Sequence, residues 1–355
     1  MRIYFYNNYL YGRGGMETVV PMVCRSLIQR GHEVKIILIN KSEFLDWSVG
    51  IPVIYIESEI EQNQWQNVNT NDIYGCTLIL QKIFKKLPNP DVIVPLDIDS
   101  IIPARNASEV YANRPRIISW IHLSVKVLNR RENLKFADGH LSISKENVIE
   151  IRKIDEHGSI HLVYNPVSKK TKSIPRPAIA NFIYLGRLSY GKRLDRILYA
   201  LADISGDWTL QVIGEGDYGP NYKKMAEDLG INNRISWEGW KIKPWEAVRE
   251  ATALLLSSDF EGLPMCIMEA HAHGIPVIAG DCPSGPAEMI QNGINGWLYP
   301  YQDVIAFSSI LEGVVQKEIA LPSHELVEQT ASDYDLEKVI DRVEQAFIQE
   351  CKSNN

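Results

Sequence analysis

Apolar residues along the chain come in short runs separated by longer amphipathic stretches. In the first half, "RIYFY" (2–6), "EVKIILI" (33–39), "PVIYI" (52–56), "DVIVPL" (91–96), "PRIISWI" (115–121), "HLSIS" (140–144) and "IHLVYN" (160–165) are crowded with β-branched residues. They are too short for helices and read as strands. Between several of them, stretches such as Met16–Arg30 and Lys145–Lys153 carry helical periodicity. Apolar strands alternating with helices imply βαβ units and a parallel sheet covered on both faces.

The alternation stops at "NPVSKKTKSIPRPAIAN" (165–181), which has three prolines, a basic cluster and no period, and reads as a linker. It restarts with "FIYLGR" (182–187), "TLQVIGEG" (209–216), "RISWEGW" (234–240), "ALLLSS" (253–258), "PVIAGD" (276–281) and "GWLYP" (296–300). The tail from Asp333 to Glu350 is a strongly amphipathic helix. The pattern predicts an α/β chain of two Rossmann-like, doubly wound domains facing a central cleft. The expected boundaries are 1–168, 169–332 and a terminal helix segment at 333–355. Ligands in such sheets bind beyond the carboxyl ends of the strands.

A length of 355 residues suits two domains. No apolar run reaches the roughly 18 residues of a spanning helix, and the start lacks the form of a signal peptide. The five cysteines are scattered and show no zinc spacing, so reduced thiols in a cytoplasm are expected. The net charge of −7 is uneven: residues 1–168 hold 19 Lys/Arg against 18 Asp/Glu, and the remainder 18 against 26. An acidic chain is a poor general nucleic-acid binder, and no nucleic acid is expected as a partner. Two clusters in the near-neutral half, Lys82, Lys85, Lys86 and Lys126, Arg130, Arg131, Lys135, fit either solvated helix faces or peripheral contact with an anionic membrane.

Four places carry candidate chemistry. "YGRGGMETVV" (11–20) follows the first strand and opens a helix; Gly12, Gly14 and Gly15 allow close backbone approach, and the helix start at Met16 offers N–H groups to an anion. Its glycine spacing is not that of a dinucleotide site, which disfavours a dehydrogenase. In "YLGRLSYGKRLDRIL" (184–198), Arg187 and Lys192 place two cations at a strand's carboxyl end, where a diphosphate would suit them. "SSDFEGLPMCIMEAHAHGIPVIAG" (257–280) sets Glu261 in a loop and Glu269 eight residues on, in a helix that Pro264 is expected to begin. A carboxylate there can accept ribose hydroxyls, or equally cap a neighbouring loop. The N–H groups of Leu263, Met265 and Cys266 could meet phosphate at that helix start. Finally, His122 in "SWIHLSVK" ends a first-domain strand.

Taken together, "GRGGMET", "GRLSYGK", "VIGEG", "EGLPMCIMEAHAHGIPVIAGD" and "NGINGWLYP" resemble, in order, the motifs of glycosyltransferase family 4, retaining enzymes of the GT-B architecture. The resemblance implies a first, acceptor-side domain, a second, nucleotide-sugar-binding domain, and a terminal helix returning to the first. It implies that Arg187 and Lys192 neutralise the donor diphosphate, Glu269 holds the ribose, Glu261 lies by the donor sugar and His122 by its outer hydroxyls. Gly14, Gly15 and Met16 would form a loop approaching phosphate or acceptor; Asn165, Gly214 in "VIGEG" and the "GWK" at 239–241 would shape the donor pocket. It implies no metal and no cofactor beyond the UDP-sugar donor substrate. "LDIDS" (96–100) has Asp97 and Asp99 at the spacing of a metal motif, but reads as the end of the fourth strand.

A narrower similarity, carried by "FEGLPMCIMEA", "CPSGPAEMI", "GWKIKPWEAV" and "GGMETV", is to bacterial lipopolysaccharide-core galactosyltransferases. It implies UDP-galactose, or UDP-glucose, as donor and a lipid-linked oligosaccharide as acceptor, with the enzyme cytoplasmic or peripheral on the inner membrane face. Rival readings are a nucleotide-sugar epimerase of the same architecture and a sugar-nucleotide-binding subunit without catalysis.

Overall fold

The computed structural model describes residues 1–10, 14–59, 72–168 and 173–352. All thirteen apolar runs become strands, most of them trimmed at the carboxyl end, where the chain peels away into loops. The chain divides into two compact units, residues 1–166 with 336–355, and residues 167–335.

The first unit holds β1 (Arg2–Asn7), β2 (Glu33–Leu38), β3 (Val53–Tyr55), β4 (Val92–Pro95), β5 (Arg116–Trp120), β6 (Gly139–Ser142) and β7 (Ser159–Leu162). Their order is β3-β2-β1-β4-β5-β6-β7, every pairing parallel. On one face Tyr4, Tyr6, Ile37, Ile93 and Ile117 pack under the helix Ile73–Phe84. Residues of β1 point alternately to the two faces, so Phe5 turns the other way and meets the Trp120 ring, 6.2 Å between centroids. Covering both faces leaves the central strands β1, β4 and β5 mostly apolar rather than alternating.

The second unit repeats the plan with β8 (Ala180–Leu185), β9 (Trp208–Ile213), β10 (Ile235–Gly239), β11 (Ala253–Leu256), β12 (Val277–Gly280) and β13 (Gly296–Tyr299). The order is β10-β9-β8-β11-β12-β13, again all parallel. In each unit the winding reverses once, between β1 and β4 and between β8 and β11. The strand ends there splay apart and leave room beyond the sheet.

The expected linker is not a free tether where it is described. Val167 N–H bonds Tyr334 O at 2.7 Å, Ile174 N–H bonds His273 O at 3.0 Å, and Pro175 O accepts from Ala251 N–H at 3.0 Å. Residues 169–172 lie outside the described ones.

The terminal helix, Leu336–Lys352, packs with the first unit. Its buried stripe is Val339, Ile340, Val343, Ala346 and Phe347, at helical spacing, and ends in Glu350, a carboxylate on a core position. Glu350 accepts from Arg116 Nη2 on β5 at 2.8 Å and lies 2.8 Å from His161 Nε2 on β7. Gly139 on β6 leaves the space: a Cβ there would lie 2.9 Å from the carboxyl carbon. Burial alone would raise this acid, but hydrogen bonds from His161, Arg116 and Ser159 outweigh it and hold Glu350 at about 2.

Replacing Glu350 by Gln should therefore destabilise the first unit by about 3 kcal/mol in urea unfolding, because Arg116 loses its counter-charge. In the native protein the contribution of Glu350 is complete above its ordinary value of 4.5 and is lost as pH falls from there towards 2. The Gln variant should show a flatter stability profile across that window.

Candidate functional site

In the second unit the loops leaving β8 and β11 start at the winding reversal. Lys192 lies in the 3-10 turn Tyr190–Lys192 of the first loop, Glu261 in the second. Lys192 Nζ donates to both Glu261 oxygens, at 2.7 and 2.9 Å, and Ser258 Oγ donates to Oε1 at 2.6 Å. Glu261 is 7 % exposed. Burial opposes charge on Lys192, but the Glu261 carboxylate wins and holds the ammonium above its ordinary value.

The two loops are tied together beneath this pair. Asp259 N–H bonds Gly191 O at 2.9 Å, and Ser257 Oγ donates to Arg193 O at 2.7 Å. The buried Arg196 donates to Ser257 O at 3.0 Å and to Asp259 at 2.7 Å. Arg193 takes a left-handed backbone, φ 52°, as the chain turns into the helix Leu194–Asp203.

Pro264 does not begin the next helix as expected. It stands one residue before Met265–Ala272 with an extended ψ of 107°. Its missing N–H costs nothing there, while its carbonyl accepts from Ile267 N–H at 3.1 Å. Met265 and Cys266, both half-buried, then supply first-turn N–H groups with no intrahelical acceptor; the side chain of Leu263 is buried. Gly285, φ 96°, backs this turn, and a Cβ there would lie 2.4 Å from the Pro264 ring.

Glu269 is half-buried, and its Oε2 accepts from Trp245 Nε1 at 2.8 Å. It fastens the turn Pro244–Ala247, so the capping role considered for it is real. Burial, then Glu261, pushes the Cys266 thiol up; Lys192 and Glu269 also act on it. Three charges from three segments thus converge around the helix start.

Arg187 is exposed, two residues past β8. Gly214 serves this loop: with φ 144°, a Cβ would lie 1.9 Å from Gly186 O. Gly214 N–H bonds Gly239 O at 2.9 Å, which ties "VIGEG" to the start of "GWK". Lys241 of that segment pairs with Glu238 at 3.6 Å.

In the first unit, His122 lies two residues past β5, its ring 4.4 Å from that of Trp120. Its Nε2 is buried, and the Asn165 side chain, with its Oδ1 also buried, lies beside it. Tyr164 brings Asn165 there through a left-handed backbone, φ 64°, rare for a bulky residue and found where the fold enforces it. Burial pushes His122 down to about 3, with Asn165 opposing only in part.

Tyr11, Gly12 and Arg13 lie outside the described residues. Gly14 O accepts from Thr18 Oγ at 3.2 Å. Gly15 has an ordinary helical φ of −64° and precedes the helix Met16–Gln29, whose first N–H groups point outward from its start. Asp97 accepts from Ser100 N–H at 2.7 Å, and Asp99 pairs with Arg130 at 3.2 Å. Among the described residues no three His, Cys, Asp or Glu side chains gather as a metal set.

Ser258, Trp245 and Arg196 were missed in the sequence. Ser258 stands three before Glu261, a spacing that suits a local hydrogen bond; Trp245 and Arg196 gave no signal, because their partners lie 24 and 63 positions away.

Two doubly wound units with a cation–carboxylate pair and a helix start at one winding reversal fit many ligands, and the class is given by comparison with known proteins. The family described as glycosyl transferases group 1 matches residues 170–332. The chain belongs to this family and is a glycosyltransferase of GT-B fold. It is 32% identical to the lipopolysaccharide 1,6-galactosyltransferase of Escherichia coli K12 over 98% of both chains, and 32% identical to that of Salmonella typhimurium over 93% of this chain and 94% of the other. The solved apo form of a lipopolysaccharide outer core galactosyltransferase, WaaB, superposes with a TM-score of 0.82 at 30% identity, covering 99% of this chain and all of that one. Anabaena HepE, solved with UDP, shares the fold at a TM-score of 0.78 and 17% identity, covering 98% of this chain and all of HepE.

Replacing Lys192 by Met leaves Glu261 buried without its cation and should cost about 1–3 kcal/mol in urea unfolding; adding Glu261→Gln should recover most of that loss. His122 should not titrate between pH 5 and 8 when its ring nitrogens are followed by NMR. Its folded value lies below its ordinary 6.5, so its contribution to stability is complete above about 6.5 and declines as pH falls towards 3.

Proposed function

We propose that the enzyme transfers a hexose with retention of configuration, galactose from UDP-galactose in the first instance, onto a sugar of a lipopolysaccharide core or another lipid-linked oligosaccharide. The observation that carries this reading is the Lys192–Glu261 pair beside the N-terminus of Met265–Ala272, at the winding reversal of the second unit. The near-full-length similarity to two lipopolysaccharide 1,6-galactosyltransferases supports the sugar and the acceptor class.

A diphosphate needs cations and N–H donors together. Lys192 and Arg187 supply the first, and Met265 and Cys266 the second. Glu269, already oriented by Trp245, accepts the ribose hydroxyls. Glu261 anchors Lys192 and faces the hexose. In the first unit, His122 is neutral and Asn165 offers a buried amide oxygen, so each suits a hydroxyl as a hydrogen-bond partner and neither suits the role of an acid. The bond from C1 to the diphosphate oxygen breaks, its electron pair leaving with UDP. The acceptor hydroxyl oxygen bonds to C1 on the same face, and its proton passes to a phosphate oxygen. No metal enters this scheme, because protein cations and dipoles stabilise the developing charge.

Melting should rise with UDP-galactose, since ligand at about 100 times Kd adds roughly 2.7 kcal/mol. With a truncated lipopolysaccharide acceptor the product should gain one hexose, its anomeric configuration that of the donor by NMR. Lys192→Met should lower kcat/KM by about 10²–10³, the effect of losing one transition-state donor. Isomerised donor without acceptor would mean an epimerase, and UDP binding without turnover across acceptors would mean a binding subunit.

A further inference from the structure

We propose that a groove of the second unit, beyond the carboxyl ends of β12 and β13, binds a neutral sugar residue of a glycan at a place apart from the Lys192–Glu261 pair. The groove encloses about 790 Å³. Asp281 enters it on leaving β12, and Tyr301, Gln302 and Asp303 on leaving β13, the edge strand of the sheet. The walls are fixed from within. Asp281 N–H bonds Tyr299 O and Asp303 N–H bonds Pro300 O, both at 2.7 Å. The Tyr299 ring stacks on Phe307 with 4.3 Å between centroids. Gly280 lets Tyr301 close onto the strand end, since a Cβ there would lie 2.8 Å from Tyr301 Cβ. On the outer edge Asn292 Oδ1 accepts from Leu298 N–H at 2.8 Å.

The lining selects the ligand. Two exposed carboxylates, Asp281 and Asp303, and two exposed amides, Asn292 and Gln302, surround one aromatic ring, that of the half-buried Tyr301. No Lys, Arg or His lines the groove, so a phosphate or diphosphate would meet repulsion there. The Arg196 guanidinium, 5.6 Å from the centre of the Tyr301 ring, is engaged by Asp259 and Ser257 O. Among the described residues no metal set is present either. A pyranose has an apolar C–H face that suits the negative face of a ring, and hydroxyls that suit carboxylates and amides. Asp303 Oδ1 accepts from Ala306 N–H at 2.9 Å and Gln302 Nε2 donates to Tyr301 Oη at 3.0 Å, which leaves Asp303 Oδ2 and Gln302 Oε1 as acceptors. Asn292 Nδ2 adds a donor, which a hydroxyl can use and a basic side chain cannot. A groove with one ring and convergent polar groups of both kinds is the form of a small-ligand site.

The inference goes beyond the reaction proposed above and does not depend on it. The test is saturation-transfer NMR of methyl α-galactopyranoside and lactose on the full chain, with UDP present in excess to occupy the other site. The wild type should bind these probes with Kd on the order of 1 mM. D281N/Q302A, which alters only exposed side chains and should melt like the wild type, should weaken binding about tenfold. Y301S should weaken it by about the same factor through loss of the ring. Lys192→Met should weaken UDP binding and leave the sugar signal unchanged. No signal from either sugar with UDP present would overturn the proposal, as would a signal unchanged in D281N/Q302A. Binding of argininamide in place of the sugars would also overturn it and give the groove to a basic partner. With an oligosaccharide acceptor, a raised KM at unchanged kcat in D281N/Q302A identifies the bound glycan as the acceptor, and an unchanged KM identifies a separate glycan; both keep the site. Absence of turnover in every form, with sugar binding intact, would count against the proposed reaction instead.

Discussion

A carboxylate withdrawn from water must be matched by cations and donors or it will not stay charged. Glu261 meets that condition through Lys192 and Ser258, and the match organises the second unit's strand ends. Lys192 leaves β8 and Glu261 leaves β11, so the pair closes the gap where the sheet's winding reverses. Asp259, Ser257 and Arg196 then fix both loops from beneath. The charge of Glu261 and the geometry of both loops rest on one electrostatic requirement.

The first unit meets the same requirement elsewhere. Glu350 sits on the apolar stripe of the terminal helix, and Arg116, His161, Ser159 and the space at Gly139 make its charge tolerable. The partners come from β5, β6 and β7, so the carboxylate ties the terminal helix across three strands. At the opposite, carboxyl end of β5, His122 is treated in the contrary way: burial strips its charge, and Asn165 is delivered beside it through the strained Tyr164. One unit keeps a buried acid ionised and a buried base neutral, at opposite ends of one sheet.

The fold was legible because a two-sided parallel sheet favours short apolar runs, which mark its central strands plainly. The candidate residues were less so. Glu261, Lys192 and Glu269 stood out through motif resemblance, whereas spacing alone left Glu269 divided between capping and binding, and it does cap through Trp245. Pro264 was placed one residue too far into its helix, because the same proline suits both the first turn and the residue ahead of it. Gly214, expected to shape the donor pocket, also permits a close approach to Gly186 that no spacing announced.

The sequence by itself determined the alternation of strand and helix, the two-unit plan and the order of the motifs, since these follow from local periodicity and composition. Only the tertiary structure decided which charges meet: Lys192 with Glu261 across 69 positions, Arg196 with Asp259, Glu350 with Arg116 across 234. It also decided that Leu123, Val127 and Phe136 face outward while Val125 and Leu134 turn in. Periodicity reports what a residue's neighbours along the chain are doing, and burial and pairing depend on what the folded sheet brings alongside.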